Sequence, residues 1–124
     1  MSLKENLIAL VQGAFLPDEI ENKITFLYLF ESKIRNAGYS LTPNYPAPMP
    51  GSRSGFGRVD YLITCQEGEK CVVEIDGNAP RKRSIRKVCA LEARGVKGFI
   101  LLRSGRAVRF SASGVDVVSA TNGK

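Results

Sequence analysis

Two short runs of β-branched and aromatic residues, 58–64 and 71–77, constrain the fold of this chain most. They have the sequences Arg-Val-Asp-Tyr-Leu-Ile-Thr and Cys-Val-Val-Glu-Ile-Asp-Gly, and this composition is typical of β-strands. The polar segment 65–70 between them contains Gly68, and its length and chemistry suit a hairpin loop. The sequence therefore predicts an antiparallel hairpin.

The period of two in a strand sorts the hairpin residues onto two faces. One face is expected to carry the apolar set Val59, Tyr61, Ile63, Cys71, Val73 and Ile75. The same register places Asp60, Glu74 and Asp76 together on the opposite face, next to Leu62 and Val72.

Three carboxylates on two neighbouring strands repel one another, and a divalent metal ion would relieve that repulsion. Hard oxygen ligands from Asp and Glu are those that Mg²⁺ takes. The alternative is that Asp60, Glu74 and Asp76 are simply solvated on an exposed face. Leu62 and Val72 favour a covered face, where unpaired acids are costly.

The charge balance and the residue types that are present limit the classes of function. The net charge is +6 and the isoelectric point is about 9.5, which favours nucleic acid, an anionic surface or an acidic partner. The chain has no histidine, so Ser-His-Asp triads are excluded. Three cysteines without C-x-x-C spacing argue against a disulfide scaffold or a zinc site and favour a reducing compartment. With no long apolar run and no signal-peptide pattern, we expect a cytoplasmic protein without a membrane span.

Helical spacing predicts two helices before the hairpin. The first covers 2–14, with Ser2 as N-cap, and the second covers 17–37, with Pro17 in its first turn and Gly38 after its end. The apolar stripe of the second helix is predicted to be Ile20, Ile24, Leu27 and Ile34. Glu31 lies on that stripe, and it is interpreted either as an edge residue paired with Arg35 or as an inward, site-directed carboxylate.

The segment 39–41 is a candidate short strand, and 42–57 is predicted to be a loop because it contains four prolines and three glycines. A loop of this length is typically functional or disordered. Arg53, between Ser52 and Ser54, is a candidate phosphate contact; the alternative is a solvated loop.

A strongly basic helix is predicted after Pro80, ending near Arg94 and Gly95. Its apolar side is expected to be Ile85, Val88, Cys89 and Leu91. The candidate nucleic-acid contacts in and before it are Arg81, Lys82, Arg83, Arg86, Lys87 and Arg94. The apolar run 96–102 that follows predicts a buried strand parallel to the strand that carries Glu74.

The C-terminal region is predicted to hold one more short strand, 106–110, and then a small polar tail from Ser111 that frays from about 119. The whole chain, 1–124, is predicted to be a single α/β domain with a central mixed β-sheet flanked by helices.

This order of elements resembles the PD-(D/E)XK nuclease superfamily, whose members include restriction endonucleases and Holliday-junction resolvases. The motifs Val59-Asp60-Tyr61 and Val73-Glu74-Ile75-Asp76-Gly77 are similar to the subgroup of very-short-patch repair endonucleases. The run from Arg86 to Arg103 supports the same likeness. The resemblance implies a restriction-endonuclease-like core.

The resemblance also implies roles for individual residues. Asp60 and Glu74 would hold Mg²⁺ or Mn²⁺, with Glu31 as an acid from the N-terminal helix. The superfamily's lysine is replaced here by Asp76, which we group with the candidate catalytic residues, and the subgroup's histidine is missing. Lys82 is the nearest candidate to supply the lysine; the alternative is a phosphate contact or a solvated charge.

Three functions follow as hypotheses. The first is a metal-dependent endonuclease that hydrolyses DNA phosphodiester bonds, with a homodimer as one way to cut both strands. The second is a non-catalytic nucleic-acid-binding domain on the same fold. The third is a regulatory module whose basic face meets an acidic protein.

Overall fold

The computed structural model describes residues 2–105 and 109–121 of the 124-residue chain. In chain order the elements are α1 (Leu3–Val11), a 3₁₀ turn (Pro17–Glu19), α2 (Lys23–Asn36), β1 (Ser40–Pro48), β2 (Phe56–Thr64), β3 (Lys70–Asp76), α3 (Lys82–Glu92), β4 (Lys97–Leu102), β5 (Arg109–Ala112) and β6 (Val115–Ser119). Within those ranges, none of the helices combines the length and the apolar character that crossing a membrane requires.

The strands form one six-stranded mixed sheet in the order β1-β2-β3-β4-β6-β5. The hairpin of β2 and β3 is antiparallel, with Tyr61 opposite Val73 and Thr64 opposite Lys70. β3 and β4 are parallel and are joined through α3. The predicted mixed sheet flanked by helices, and the predicted parallel pair of strands, are therefore confirmed.

Helices cover both faces of the sheet. On one face, α1 and α2 pack against Val73 of β3 and against Phe99 and Leu101 of β4. On the other face, α3 packs against Val72 of β3 and Ile100 of β4. Because β4 is buried on both sides, it is apolar almost throughout, as its sequence predicted.

The second predicted helix is shorter than expected. Its first part is only the 3₁₀ turn, and α2 begins at Lys23 because the Asn22 side chain accepts a hydrogen bond from the Thr25 amide and caps a new helix start. The buried stripe is Phe26, Phe30 and Ile34, whereas Ile24 is 80% exposed. The predicted stripe through Ile24 is wrong.

The predicted loop 42–57 is also corrected, since β1 extends through its first half. β1 lies at the edge of the sheet and contains Pro43, Pro46 and Pro48. A proline has no amide hydrogen to donate, but an edge strand needs donors on one side only. Arg53 lies in the remaining turn between β1 and β2 and is exposed.

The predicted polar tail from Ser111 is corrected, because its first part continues the sheet. β6 pairs in parallel with β4, and Val115, Val117 and Val118 are buried. β5 pairs with β6 in an antiparallel hairpin that turns at Ser113 and Gly114. Of the predicted strand 106–110, residues 106–108 lie outside the described residues.

Candidate active site

The sheet is interrupted at Asp60. The pairing of β1 with β2 runs from Ser40–Thr64 to Pro43–Tyr61 and resumes at Tyr45–Val59, so that Asn44 and Asp60 are skipped. The pairing of β2 with β3 covers Tyr61 to Thr64 and does not include Asp60. Asp60 therefore lies where β2 lacks a regular ladder partner on both sides.

Where the backbone ladder between β2 and β3 is missing, two carboxylates accept hydrogen bonds from the backbone amides. The Ile75 amide donates to Asp60 Oδ2 at 2.7 Å, and the Asp60 amide donates to Glu74 Oε1 at 2.7 Å. Each acid thus accepts a backbone hydrogen bond from the strand of the other. This reciprocal arrangement holds the two carboxylates beside each other.

The interruption also shifts the faces of β2. Tyr61 and Ile63 share one face, as predicted, and this face packs against α1 and α2, but Val59 packs under α3 with Leu62. Asp60 therefore does not lie on the same face of the sheet as Glu74 and Asp76, contrary to the prediction. The expected alternation fails because the backbone at Asp60 is bonded to a side chain rather than to a neighbouring strand.

Lys87 of α3 completes this group. Its Nζ lies 2.9 Å from Glu74 Oε2 and donates a hydrogen bond to the Arg58 carbonyl oxygen at 2.7 Å. The Lys87 side chain is 10% exposed and that of Glu74 is 1% exposed. The sequence placed Lys87 on the solvent-facing basic side of the helix, and that placement is wrong.

Glu74 is a buried acid with competing influences on its pKa. Burial raises the pKa of the Glu74 carboxyl, and the charge of Asp60 raises it further, while Lys87 opposes both. Glu74 Oε2 is buried, and Lys87 Nζ lies 2.9 Å from it as its ion-pair partner.

Asp76, at the end of β3, accepts hydrogen bonds from the start of α3. Its Oδ1 accepts hydrogen bonds from Arg81 Nε at 2.8 Å and Ser84 Oγ at 2.9 Å, and its Oδ2 accepts one from the Arg81 amide at 2.9 Å. Asp76 therefore anchors the first turn of α3. Its oxygens are engaged there and not with Asp60 or Glu74.

Glu31 and Asp60 both line a cavity of about 250 Å³ between α2, β1 and β2. Tyr61 Oη donates to Glu31 Oε2 at 2.6 Å, and Arg35 Nη1 lies 3.3 Å from Glu31 Oε1. Burial and the hydrogen bond to Glu31 both raise the pKa of the Tyr61 phenol. Glu31 thus pairs with Arg35, as one interpretation of the sequence predicts, and it also lines the cavity that Asp60 lines.

The remaining candidate cations lie on the outer side of α3. Arg81, Lys82, Arg83, Arg86 and Arg94 are exposed. Lys82 and Arg86 line a larger groove of about 710 Å³ together with Ile85 and Cys89. The exposure of Cys89 corrects its expected place on the apolar side of the helix.

The structure brings Lys87, rather than Lys82, to Glu74. A signal for this was present in the sequence, since the buried residues Ser84, Lys87 and Leu91 follow a spacing of three and four. Residues with this spacing share one face of a helix. Lysine side chains are usually exposed, and the spacing here runs against that tendency.

In the described part of the chain, no group of three or more Asp, Glu, His or Cys side chains is arranged to hold a metal ion. No protein-family model matches the sequence. A comparison with curated proteins gives no significant match. Interpretation of the site therefore rests on its own geometry.

Proposed function

We propose that this protein is a metal-dependent endonuclease that hydrolyses DNA phosphodiester bonds at Asp60, Glu74 and Lys87. The observation that carries the proposal is the break in the sheet at which Asp60 and Glu74 hold each other's strands. A buried lysine completes the group at 2.9 Å from Glu74. The proposal agrees with the likeness to PD-(D/E)XK nucleases, in which two acids and a lysine are expected.

The chemistry of the donor set fits Mg²⁺ or Mn²⁺. Mg²⁺ commonly uses one or two protein carboxylates and completes its shell with water and substrate phosphates, so a dedicated cage of three acids is not required. Glu74 Oε2 is a buried carboxylate oxygen whose ion-pair partner is Lys87 Nζ at 2.9 Å. Asp60 and Glu74 would hold the ion, and Glu31 lines the same cavity as Asp60. When bound, such an ion supplies charge neutralisation at the phosphate and a more acidic water.

Lys87 and the exposed cations have separate tasks in this proposal. Lys87 lowers the pKa of the buried Glu74 carboxyl against the effect of burial, and it fixes this side chain against β2 through the Arg58 carbonyl. The exposed side chains Arg81, Lys82, Arg83, Arg86 and Arg94, with Arg53 from the turn, attract the nucleic-acid backbone by charge. Such contacts position the substrate and do not read its sequence.

A non-catalytic nucleic-acid-binding domain is the second candidate function, and one observation favours it. Asp60 Oδ2 and Glu74 Oε1 are already engaged with backbone amides, and Asp76 is engaged with α3. The acids therefore have a structural use without a metal ion. Only cleavage assays separate the two candidates.

The test is cleavage of supercoiled plasmid and of branched DNA, with Mg²⁺ and with Mn²⁺, by the wild type and by Asp60→Asn. We expect metal-dependent nicking that is lost in Asp60→Asn, because the amide keeps the shape of the side chain but removes the charge. Asp18→Asn, at an exposed acid of the 3₁₀ turn, is the matched control and should cut normally. DNA binding without cleavage by the wild type would contradict the nuclease proposal and support the second candidate.

A further inference from the structure

The Tyr61 hydroxyl is a polar group inside the fold to which the proposed chemistry gives no task. Tyr61 is buried, and its ring packs against Phe30 of α2 with the ring centroids 5.2 Å apart. Its backbone is paired with Val73 in the ladder between β2 and β3. Because both the ring and the backbone of Tyr61 are held, its hydroxyl has one fixed position.

From this position the Tyr61 hydroxyl holds the side chain of Glu31. Tyr61 Oη donates to Glu31 Oε2 at 2.6 Å, a length typical of a charge-assisted hydrogen bond, which is about twice as strong as a neutral one. Arg35 Nη1 lies 3.3 Å from Glu31 Oε1, but the Arg35 side chain is exposed, and exposed ion pairs contribute little. Glutamate loses much rotamer freedom when it is fixed, so Tyr61 is the group that orders Glu31.

One strand connects the ordered Glu31 carboxylate to the proposed metal site. Asp60 and Tyr61 are consecutive residues of β2, and Asp60 lines the same cavity as Glu31. The position of one acid relative to the other is therefore set by a single rigid element. In the part of the chain that the structure describes, Tyr61 and Arg35 occupy two of the roughly four lone-pair positions of the Glu31 carboxylate. The other positions are open to water in the cavity.

We infer that Tyr61 is a positioning residue, which fixes Glu31 to accept hydrogen bonds from the water shell of the metal ion proposed at Asp60. The inference rests on the proposed function and specifies its metal site. Mg²⁺ keeps several of its waters when it binds to a protein, so Glu31 contributes without touching the ion. This agrees with the lack of a three-acid cage among residues 2–105 and 109–121. Groups that orient the surroundings of a metal ion typically account for about 10- to 100-fold in metal affinity or activity.

The first experiment measures metal binding without any cleavage. Mn²⁺ is titrated into the protein in the absence of DNA, and binding is followed by the paramagnetic broadening of the Ile75 amide signal, because this amide donates to Asp60 Oδ2 at 2.7 Å. We expect Tyr61→Phe, which removes the hydroxyl and keeps the ring, to weaken Mn²⁺ binding by about tenfold. Tyr28→Phe, at an exposed tyrosine of α2, is the matched control and should bind as the wild type does.

A second variant separates positioning from a purely structural role of Tyr61. Glu31→Gln keeps an oxygen for the Tyr61 hydroxyl and should weaken Mn²⁺ binding at least as much as Tyr61→Phe. The double variant should bind Mn²⁺ no more weakly than Glu31→Gln alone, because Tyr61 acts through Glu31. Glu67→Gln, at an exposed acid of the turn between β2 and β3, controls for the lost charge.

Three results would overturn the inference. One is additive losses of Mn²⁺ affinity in the double variant, and another is a less stable Tyr61→Phe that binds Mn²⁺ normally, since either would leave Tyr61 with a structural role only. The third is wild-type affinity in Glu31→Gln, which decides the matter even if Tyr61→Phe does not fold.

Cleavage kinetics distinguish a failure of this inference from a failure of the proposed function. If the wild type cuts DNA, Tyr61→Phe should need about tenfold more Mg²⁺ for half of its maximal rate and should regain most of its kcat at saturating Mg²⁺. Cutting with an unchanged Mg²⁺ requirement would remove the positioning role and leave the nuclease intact. Mn²⁺ binding that depends on Tyr61 and Glu31 in a protein that does not cut would keep the positioning role and remove the nuclease. A wild type that binds no Mn²⁺ would overturn both.

Discussion

At the scale of single residues, Glu74 and Lys87 depend on each other. Both side chains are almost fully buried, and they lie 2.9 Å apart. A buried ion pair contributes little net stability compared with apolar residues, but the loss of one partner leaves an uncompensated charge in the interior. The pair is therefore easily damaged by a single substitution.

We expect Lys87→Met to lower the free energy of unfolding by about 3 kcal/mol, because it leaves Glu74 buried without a cation. Lys82→Met, at an exposed lysine on the same helix, should change it by less than about 0.5 kcal/mol. Urea denaturation of the purified variants measures both. Equal stabilities of the two variants would contradict the buried pair.

Glu74 should also make stability depend on pH. Its pKa in the folded protein is raised from an ordinary value near 4.5, chiefly by burial. The folded state then binds the proton more tightly than the unfolded state, so the stabilising contribution is present below the ordinary pKa and is lost as pH rises through the folded pKa.

We therefore expect the stability of the wild type relative to Glu74→Gln to fall as pH rises above the ordinary carboxyl pKa near 4.5. Glutamine does not titrate, which makes it the reference for this one group. Urea unfolding at several pH values tests the expectation. A difference that grows with pH would show that Lys87, rather than burial, dominates the pKa of Glu74.

At the scale of secondary-structure elements, the unit of β3, α3 and β4 positions the site. Asp76 ends β3 and bonds the Arg81 amide, Arg81 Nε and the Ser84 hydroxyl at the start of α3. This contact fixes the beginning of the helix that carries Lys87. The acid expected to be catalytic thus has a contact that orients another residue of the site.

We expect Asp76→Ala to cost about 2 kcal/mol, because it leaves the buried Ser84 hydroxyl and the Arg81 amide without their acceptor. Asp76→Asn should cost less, since its amide oxygen still accepts hydrogen bonds. Asp18→Ala, at an exposed acid, controls for the loss of a charge. Thermal and urea unfolding measure these changes, and an unchanged stability of Asp76→Ala would refute the anchoring role.

A second prediction at this scale concerns the close packing around Gly98 of β4. A Cβ atom at Gly98 would lie 2.5 Å from Val72 Cγ2 and 3.1 Å from Val88 Cγ1. Gly98→Ala should therefore destabilise the fold by about 1–3 kcal/mol through overpacking. Gly77→Ala has no neighbouring atom within 4 Å and serves as the control in the same unfolding assay. Equal effects of the two substitutions would show that Val72 and Val88 can move aside without a measurable cost in stability.

At the scale of the whole molecule, the cations divide into those that form ion pairs and those that stay exposed. The chain carries a net charge of +6, and its α3 cations are exposed apart from Lys87. Lys4 and Arg109 belong instead to ion pairs with Asp116 and Glu5, respectively, that join α1 to the β5–β6 hairpin. The cations of α3 therefore remain for an anionic partner.

If DNA binds this face, its affinity must depend on salt. We expect the double variant Arg86→Gln, Arg94→Gln to make the slope of log affinity against log salt about 1.8 less negative, or about 0.9 for each lost phosphate contact. The control of equal charge is Lys70→Gln, Lys97→Gln, at exposed lysines that begin β3 and β4. Fluorescence anisotropy at several salt concentrations measures both slopes, and equal slopes would indicate attraction by net charge alone.

The sequence by itself determined the type of most elements. Alternating and continuous apolar runs predicted β2, β3 and β4, Ser2 and the helical spacing predicted α1, and the order of strand, helix and strand predicted a parallel pair. These signals are local, since they depend on neighbouring residues and on the period of one element. The short strand β6 escaped prediction because its stability comes from pairing with β4 and β5. β5 was predicted in part, since the predicted strand 106–110 includes its first two residues.

Only the tertiary structure decided which charged groups meet. Asp60 and Glu74 were singled out from the sequence, but the exchange of backbone hydrogen bonds between them depends on the break in the sheet at Asp60. The choice of Lys87 over Lys82 depends on how α3 is rotated against β3. That rotation is set by the packing of Val88 and Leu91 on the sheet, a long-range contact that local spacing does not contain.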